Sequence, residues 1–273
     1  MKLLSIIIEH FNEKKWIFLM FGVLMGFLGY FMTTIVNIFD MSSMVGILDF
    51  VPEDFFELFG GLDVFTSPYG FLNIEVFAFF WIFVGFFVIY VTSSTGVSNE
   101  VEDKTIDLIL SKPIRRSHYL IGKIAFLYLF IAGVLAVIFA FIGVGIATSH
   151  AFIEFGIYWD RLLAVYLINI AFCGTLVMIT LLFSTITLDS KKTMGAAFAI
   201  MFVMFFLGSF WGLFPEEQQF IKYISTWFYL DTEALFVQGN FDNFLRNIMV
   251  LNGVSVSFLA ANLLIFRRRD IPV

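Results

Sequence analysis

The sequence predicts an all-α membrane protein with six transmembrane helices, an N-terminal interfacial helix and a short cytosolic helix between the second and third spans. Three observations carry that prediction. The 273 residues are 60% hydrophobic and 14% charged, with a mean hydropathy of +0.94, where soluble domains are roughly 45–50% apolar and about 25% charged. Six apolar runs are long enough to cross a hydrocarbon layer of about 30 Å as helices of about 20 residues. The basic residues gather on one side of those runs. A barrel would show short alternating segments instead, because lipid leaves an open backbone unsatisfied.

Residues 1–15 come first. Leu3, Leu4, Ile7, Ile8 and Phe11 recur at helical spacing, with Glu9, Asn12 and Glu13 elsewhere on the wheel, which predicts an amphipathic helix lying on the inner leaflet. The alternative is a cytosolic extension of the first span. The six-span domain covers 16–266, with spans at about 16–39, 74–95, 119–147, 162–187, 193–214 and 244–266, and a basic tail closes the chain at 267–273. No small-residue cleavage site follows the first run, so it reads as a retained span rather than a signal peptide. In the first outer loop, Pro52-Glu-Asp-Phe-Phe-Glu-Leu-Phe-Gly60-Gly61 predicts a short surface helix, with proline and acids at its start and glycine at its end. No internal repeat or low-complexity linker divides the chain.

Charge sets the orientation. Of the 16 basic residues, only Arg161, Lys222 and Arg246 fall on one side, while the other holds the rest, from Lys2, Lys14 and Lys15 to Arg267, Arg268 and Arg269. By the positive-inside rule both termini are cytoplasmic, as expected of a multi-pass protein of the plasma membrane. Acidic residues crowd the opposite side, so the net charge of −6 averages two unlike faces. The single cysteine, Cys173, excludes an intrachain disulfide.

The segment Glu100-Val-Glu-Asp-Lys-Thr-Ile-Asp-Leu-Ile-Leu-Ser-Lys-Pro-Ile-Arg-Arg116 is polar where the rest is made for lipid. Ser98 or Asn99 can cap a helix, Glu102 completes a capping box with Asn99, and Pro113 stops the helix. The predicted rod, about 98–110, has a wide apolar arc through Val101, Thr105, Ile106, Leu108, Ile109 and Leu110. Such a face needs a partner surface, or it packs on the inner leaflet. Ser117 is expected to cap the third span, with Arg115, Arg116 and Lys123 anchoring it at anionic headgroups.

Glu100-x-Glu102-x-x-Thr105-Ile106-Asp107-Leu108-Ile109-Leu110-Ser111-x-Pro113-Ile114-x-Arg116, followed by Gly122-Lys123, resembles the loop between the second and third spans of ABC-2 type transporter permeases. The six-span layout, Thr66-Ser-Pro-Tyr-Gly-Phe-Leu and the closing Phe266-Arg-Arg-Arg-Asp270 are similar to that group as well. Lys104 departs from it, since many relatives carry glycine there. The resemblance implies a coupling helix that docks on an ATP-binding subunit, with Asn99, Glu100, Glu102, Thr105, Asp107, Leu108, Ile109, Pro113, Arg115 and Arg116 as the contact. It implies ATP and Mg bound by that partner rather than by this chain, two ATP-binding subunits, and a second permease copy or homologue in the same bilayer.

The chain has no Gly-x-x-x-x-Gly-Lys-Ser/Thr loop, no His-Glu-x-x-His and no Gly-x-Ser-x-Gly. Intrinsic catalysis, a metal site and nucleic-acid binding are not expected. Inside the membrane, Glu75, Thr92 and Ser93 are candidate pathway residues, and Gly22-x-x-x-Gly26 and Gly208-x-x-x-Gly212 are candidate close-packing motifs. Met20, Met25, Met32, Met41 and Met44 read as packing, with a soft-metal path as the lesser alternative. The expected function is a permease subunit exporting or flipping an amphipathic or lipid-like substrate. The rival is a membrane anchor or mechanotransmitter that recruits an ATPase to act on an extracytoplasmic partner without moving cargo.

Overall fold

The computed structural model describes residues 3–38, 66–105 and 116–268, and every regular element among them is helical. Among the described residues six helices are long and apolar enough to cross a membrane, so the chain is a multi-pass membrane protein. The predicted surface helix at 52–60 lies outside the described residues, as do Met41 and Met44.

The first span is a single helix, Leu3–Ile35. At about 1.5 Å per residue it is about 50 Å long and overreaches the hydrocarbon layer. Residues 3–15 therefore do not form a helix of their own. No glycine or proline interrupts the sequence at Lys14-Lys15-Trp16, and this end packs on protein: Lys14 Nζ donates to Ser94 Oγ at 3.2 Å, and the His10 ring lies 5.3 Å from that of Phe126.

The second span starts earlier than expected, at Pro68 rather than 74. Ser67 caps it, its Oγ accepting from Gly70 N at 3.0 Å, and Pro68 sits where its missing N–H costs nothing. The helix widens to π-helical turns over Asn73–Phe80 and resumes as Trp81–Thr95. The third span is Arg116–Thr148, so Ser117 falls inside its first turn and is not its cap. The fourth and sixth run Trp159–Thr187 and Phe244–Arg268. The fifth, Ser190–Ser209, stops five residues short of the expected 214. There the chain returns on itself: Ser225 Oγ donates to Met204 O, and a Cβ at Gly208 would lie 2.8 Å from the Phe228 backbone N.

The fourth span is the hub. Of its apolar window 78% is buried, against 17% for the sixth and 22% for the fifth. Hydroxyl and amide groups stitch it to the sixth: Thr175 Oγ1 lies 3.0 Å from Ser255 Oγ, and Asn262 Nδ2 donates to Met178 O at 3.0 Å. Such bonds hold helices together where lipid removes the hydrophobic drive for association. The first span lies along the third, where Gly22, Gly26 and Gly29 receive Val137, Phe141 and Ile142. The glycine motif of the first span thus serves a contact within the chain.

Candidate functional site

At one end of the bundle the second span closes on Gly96, which is also the N-cap of a short helix, Val97–Glu102. A Cβ on Gly96 would meet Ser184 Oγ at 2.4 Å, so only glycine lets the fourth span approach this corner. The capping box read from Asn99 and Glu102 does not form, because Gly96 takes the cap three residues earlier. Asn99 lies within the helix, and its Nδ2 donates to Asp103 Oδ2 at 2.7 Å. The helix stops at Glu102. Lys104 has φ of 54°, a left-handed conformation that favours glycine, so the position where this chain departs from the resembled pattern is where a glycine would be unstrained.

Three side chains of the helix tie it to three spans. Ser184 Oγ of the fourth span accepts from Ser98 N at 2.9 Å and lies 2.9 Å from Ser98 Oγ, which Thr193 of the fifth span joins at 3.4 Å. Glu102 Oε1 accepts from Ser190 N at 2.9 Å, at the start of the fifth span. Glu100 turns inward to the third span. Its Oε1 lies 2.5 Å from Lys123 Nζ and accepts from the Tyr119 hydroxyl.

Lys123 has no exposed surface and Glu100 only 8%. The ammonium donates to the carbonyls of Thr95, at 2.6 Å, and Gly96, at 3.4 Å. It thus caps the carbonyl end of the second-span helix, while Glu100 stands in the first turn of the next helix; each charge meets the favourable pole of a backbone dipole. Desolvating such ions costs several kcal/mol each, which the pairing repays only with good geometry and added hydrogen bonds. One atom of the pair, Glu100 Oε2, is buried without a hydrogen-bond partner among the described residues.

The structure revises two expectations. Glu100 is not a surface contact and Lys123 is not a headgroup anchor, because the two bury each other. Glu102, Asp103, Lys104 and Thr105 are exposed and Asn99 is half-buried. Asp107, Leu108, Ile109, Pro113 and Arg115 lie outside the described residues, and Arg116 opens the third-span helix with its side chain outside them. At this end the Asp189 carboxylate caps the fifth span, and its bonds from the backbone and side chain of Lys192 hold its pKa below the usual range.

The membrane candidates scatter. Glu75 is half-buried in the π-helical turns, two turns inside the span rather than at its end. Thr92 and Ser93 are buried at 0% and 3%, and their hydroxyls have no hydrogen-bond partner among the described residues. Gly208 packs on residues 225–228, and Gly212 is exposed in the 3-10 turn Trp211–Leu213. An apolar cleft of about 520 Å³ between the second and fifth spans is lined by Phe86, Phe198, Ala199 and Phe202. Among the described residues no group of three or more His, Cys, Asp or Glu side chains is gathered to hold a metal.

The opposite end of the bundle holds residues the sequence reading passed over. The Tyr69 hydroxyl donates to Gly156 O at 3.0 Å and accepts from Tyr158 N at 2.9 Å, and its ring meets Phe152 and Phe236 edge-on at 5.0 Å each. Arg161 covers the Tyr158 ring at 4.0 Å and donates to Val237 O at 2.7 Å. Tyr69 stood in the Thr66-Ser-Pro-Tyr segment, and that Ser-Pro start was the one available signal. Nearby, Glu233 has its pKa raised to about 7, by burial first and by the charge of Asp231 second, against a hydrogen bond from Gln238.

The model of a family described as ABC-2 family transporter protein matches residues 13–271. No curated protein matches the chain.

Proposed function

We propose, from the premise that this chain belongs to the ABC-2 family of transporter proteins, that it is the membrane-spanning permease subunit of an ATP-driven exporter or flippase. Its motor is a separate pair of ATP-binding subunits that carry the ATP and magnesium. Two copies of this chain, or one with a homologue, complete the assembly. The basic end faces the cytoplasm, so the motor meets it there, at the plasma membrane.

The observation that supports this reading is the bonding of the Val97–Glu102 helix to the third, fourth and fifth spans at once, with Asp103, Lys104 and Thr105 left exposed beside it. A push on the exposed side is delivered to three helices rather than dissipated in a loose loop. The contact surface is Glu102 to Thr105 continuing through Asp107, Leu108 and Ile109. The cleft lined by three phenylalanines between the second and fifth spans favours amphipathic or lipid-like cargo over small ions.

Affinity purification of the tagged chain from its native membrane tests the motor. An ATP-hydrolysing protein is expected to follow it, and Leu108→Arg is expected to release that protein while leaving the spans folded. Wild-type chain that comes without any nucleotide hydrolase defeats the proposal. In proteoliposomes with a fluorescent phospholipid, ATP turnover without movement of lipid across the bilayer would favour the mechanotransmitter instead.

A further inference from the structure

We infer that Glu100 and Lys123 are positioning residues, a charged joint through which displacement of the Val97–Glu102 helix moves the third span and, with it, the first. This rests on the proposed function, since it needs a motor to displace the helix.

The three tethers of the helix differ in kind. Those to the fourth and fifth spans, through Ser98 and Glu102, use a buried cluster of neutral hydroxyls, which strands no charge when it opens, and an exposed carboxylate on a backbone N–H, which water can replace. The tether to the third span is an ion pair with an unexposed ammonium. Separating its partners strands a charge where no water waits, so it resists extension far more than a hydroxyl contact. Apolar side chains of like size would fill this space without the cost of burying ions, which makes a purely packing role a poor account of the pair.

Its surroundings fit a joint. Lys123 grips the last carbonyls of the second span, and Glu100 belongs to the helix on the far side of the Gly96 corner, so the pair straddles the bend. The first span closes over it, with His10 against Phe126 and Lys14 on Ser94. Because the first span is interlocked with the third through Gly22, Gly26 and Gly29, a pull on Lys123 carries two spans as one body. Motion of that body against the fourth and sixth spans is what the joint transmits.

The test uses the complex of this chain with its co-purified ATP-binding subunit in nanodiscs. Nitroxide labels are placed at His150→Cys, just beyond the third span, and Asp242→Cys, just before the sixth; both positions are exposed, and the native Cys173 is buried and takes no label. The label separation is read with and without ATP, magnesium and vanadate. The wild type is expected to show a nucleotide-dependent shift in separation. Glu100→Gln is expected to lose that shift while keeping its partner and its ATP turnover, and Lys123→Arg, which keeps the charge, is expected to retain it. Should Glu100→Gln fail to fold, Glu100→Gln with Lys123→Met leaves no orphan charge and gives the same reading. A wild-type shift in the neutral variant overturns the joint, as does loss of the partner from it, which would make Glu100 a docking residue. A wild-type chain with no hydrolase partner fails earlier, and brings down the proposed function as well.

Discussion

The two ends of the bundle are fastened by different chemistry. At the basic end a six-residue helix is held to three spans by one buried ion pair and a few hydroxyl bonds. At the acidic end Tyr69, Phe152, Tyr158, Arg161 and Phe236 pack as a broad aromatic cluster around backbone carbonyls. Aromatic packing spreads its energy over many atoms and tolerates small shifts, whereas an ion pair concentrates it in one distance. The basic end is thus the place where a local change has a large and specific effect, and the acidic end the place where stability is broadly shared.

The widest expected difference comes from the ion pair. Lys123→Met alone leaves Glu100 buried and unpaired and is expected to cost about 3–5 kcal/mol, read as a lower midpoint of thermal unfolding in detergent. Adding Glu100→Gln is expected to return most of it, because what hurts is the orphan charge rather than the missing pair. If the double variant is no better than the single, the burial is not what makes this end sensitive. At the other end Tyr69→Phe removes two hydrogen bonds but keeps the ring, for about 2 kcal/mol; a loss equal to that of Lys123→Met would erase the contrast.

Glu233 adds a pH dependence at the acidic end. Its carboxyl pKa is raised in the folded protein from 4.5 to about 7, so the folded state favours the protonated form. That stability is fully present below pH 4.5 and is lost as pH rises through 7. A change of about 1–2 kcal/mol across this window is expected after allowing for partial exposure, and Glu233→Gln should flatten the unfolding midpoint over the same range. Smallest of all, Ser184→Ala deprives Ser98 N of its acceptor, for about 1 kcal/mol by the same unfolding measurement.

The six spans were legible because long apolar runs report themselves through composition alone. Their ends were less so. Ser67-Pro68 is a helix start in plain view, but the apolar run begins later and drew the boundary to 74. The π-helical turns at Asn73–Phe80 leave no mark on a segment whose residues, Asn73 and Glu75 apart, are all apolar, so that no helical periodicity exists to be broken. Lys123 follows Arg115 and Arg116 and so looks like one more interfacial base. Its burial depends on Glu100, across a bend whose tightness only Gly96 betrays. The Asn99 and Glu102 spacing was a true capping pattern overruled by a competing cap, and the strained Lys104 was flagged by its departure from the resembled glycine but could not be given a backbone angle.

The Lys123 pair also bears on how the chain is made. During synthesis a lysine four residues inside the apolar run that starts at Tyr119 is a burden to membrane insertion. Its counter-charge emerges from the ribosome before it, 23 positions upstream by numbering. The second and third spans are therefore suited to enter the bilayer together, as a hairpin neutralised at its bend. A nascent chain cut just before residue 123 would leave Glu100 without its mate, and quality-control proteases a handle to seize.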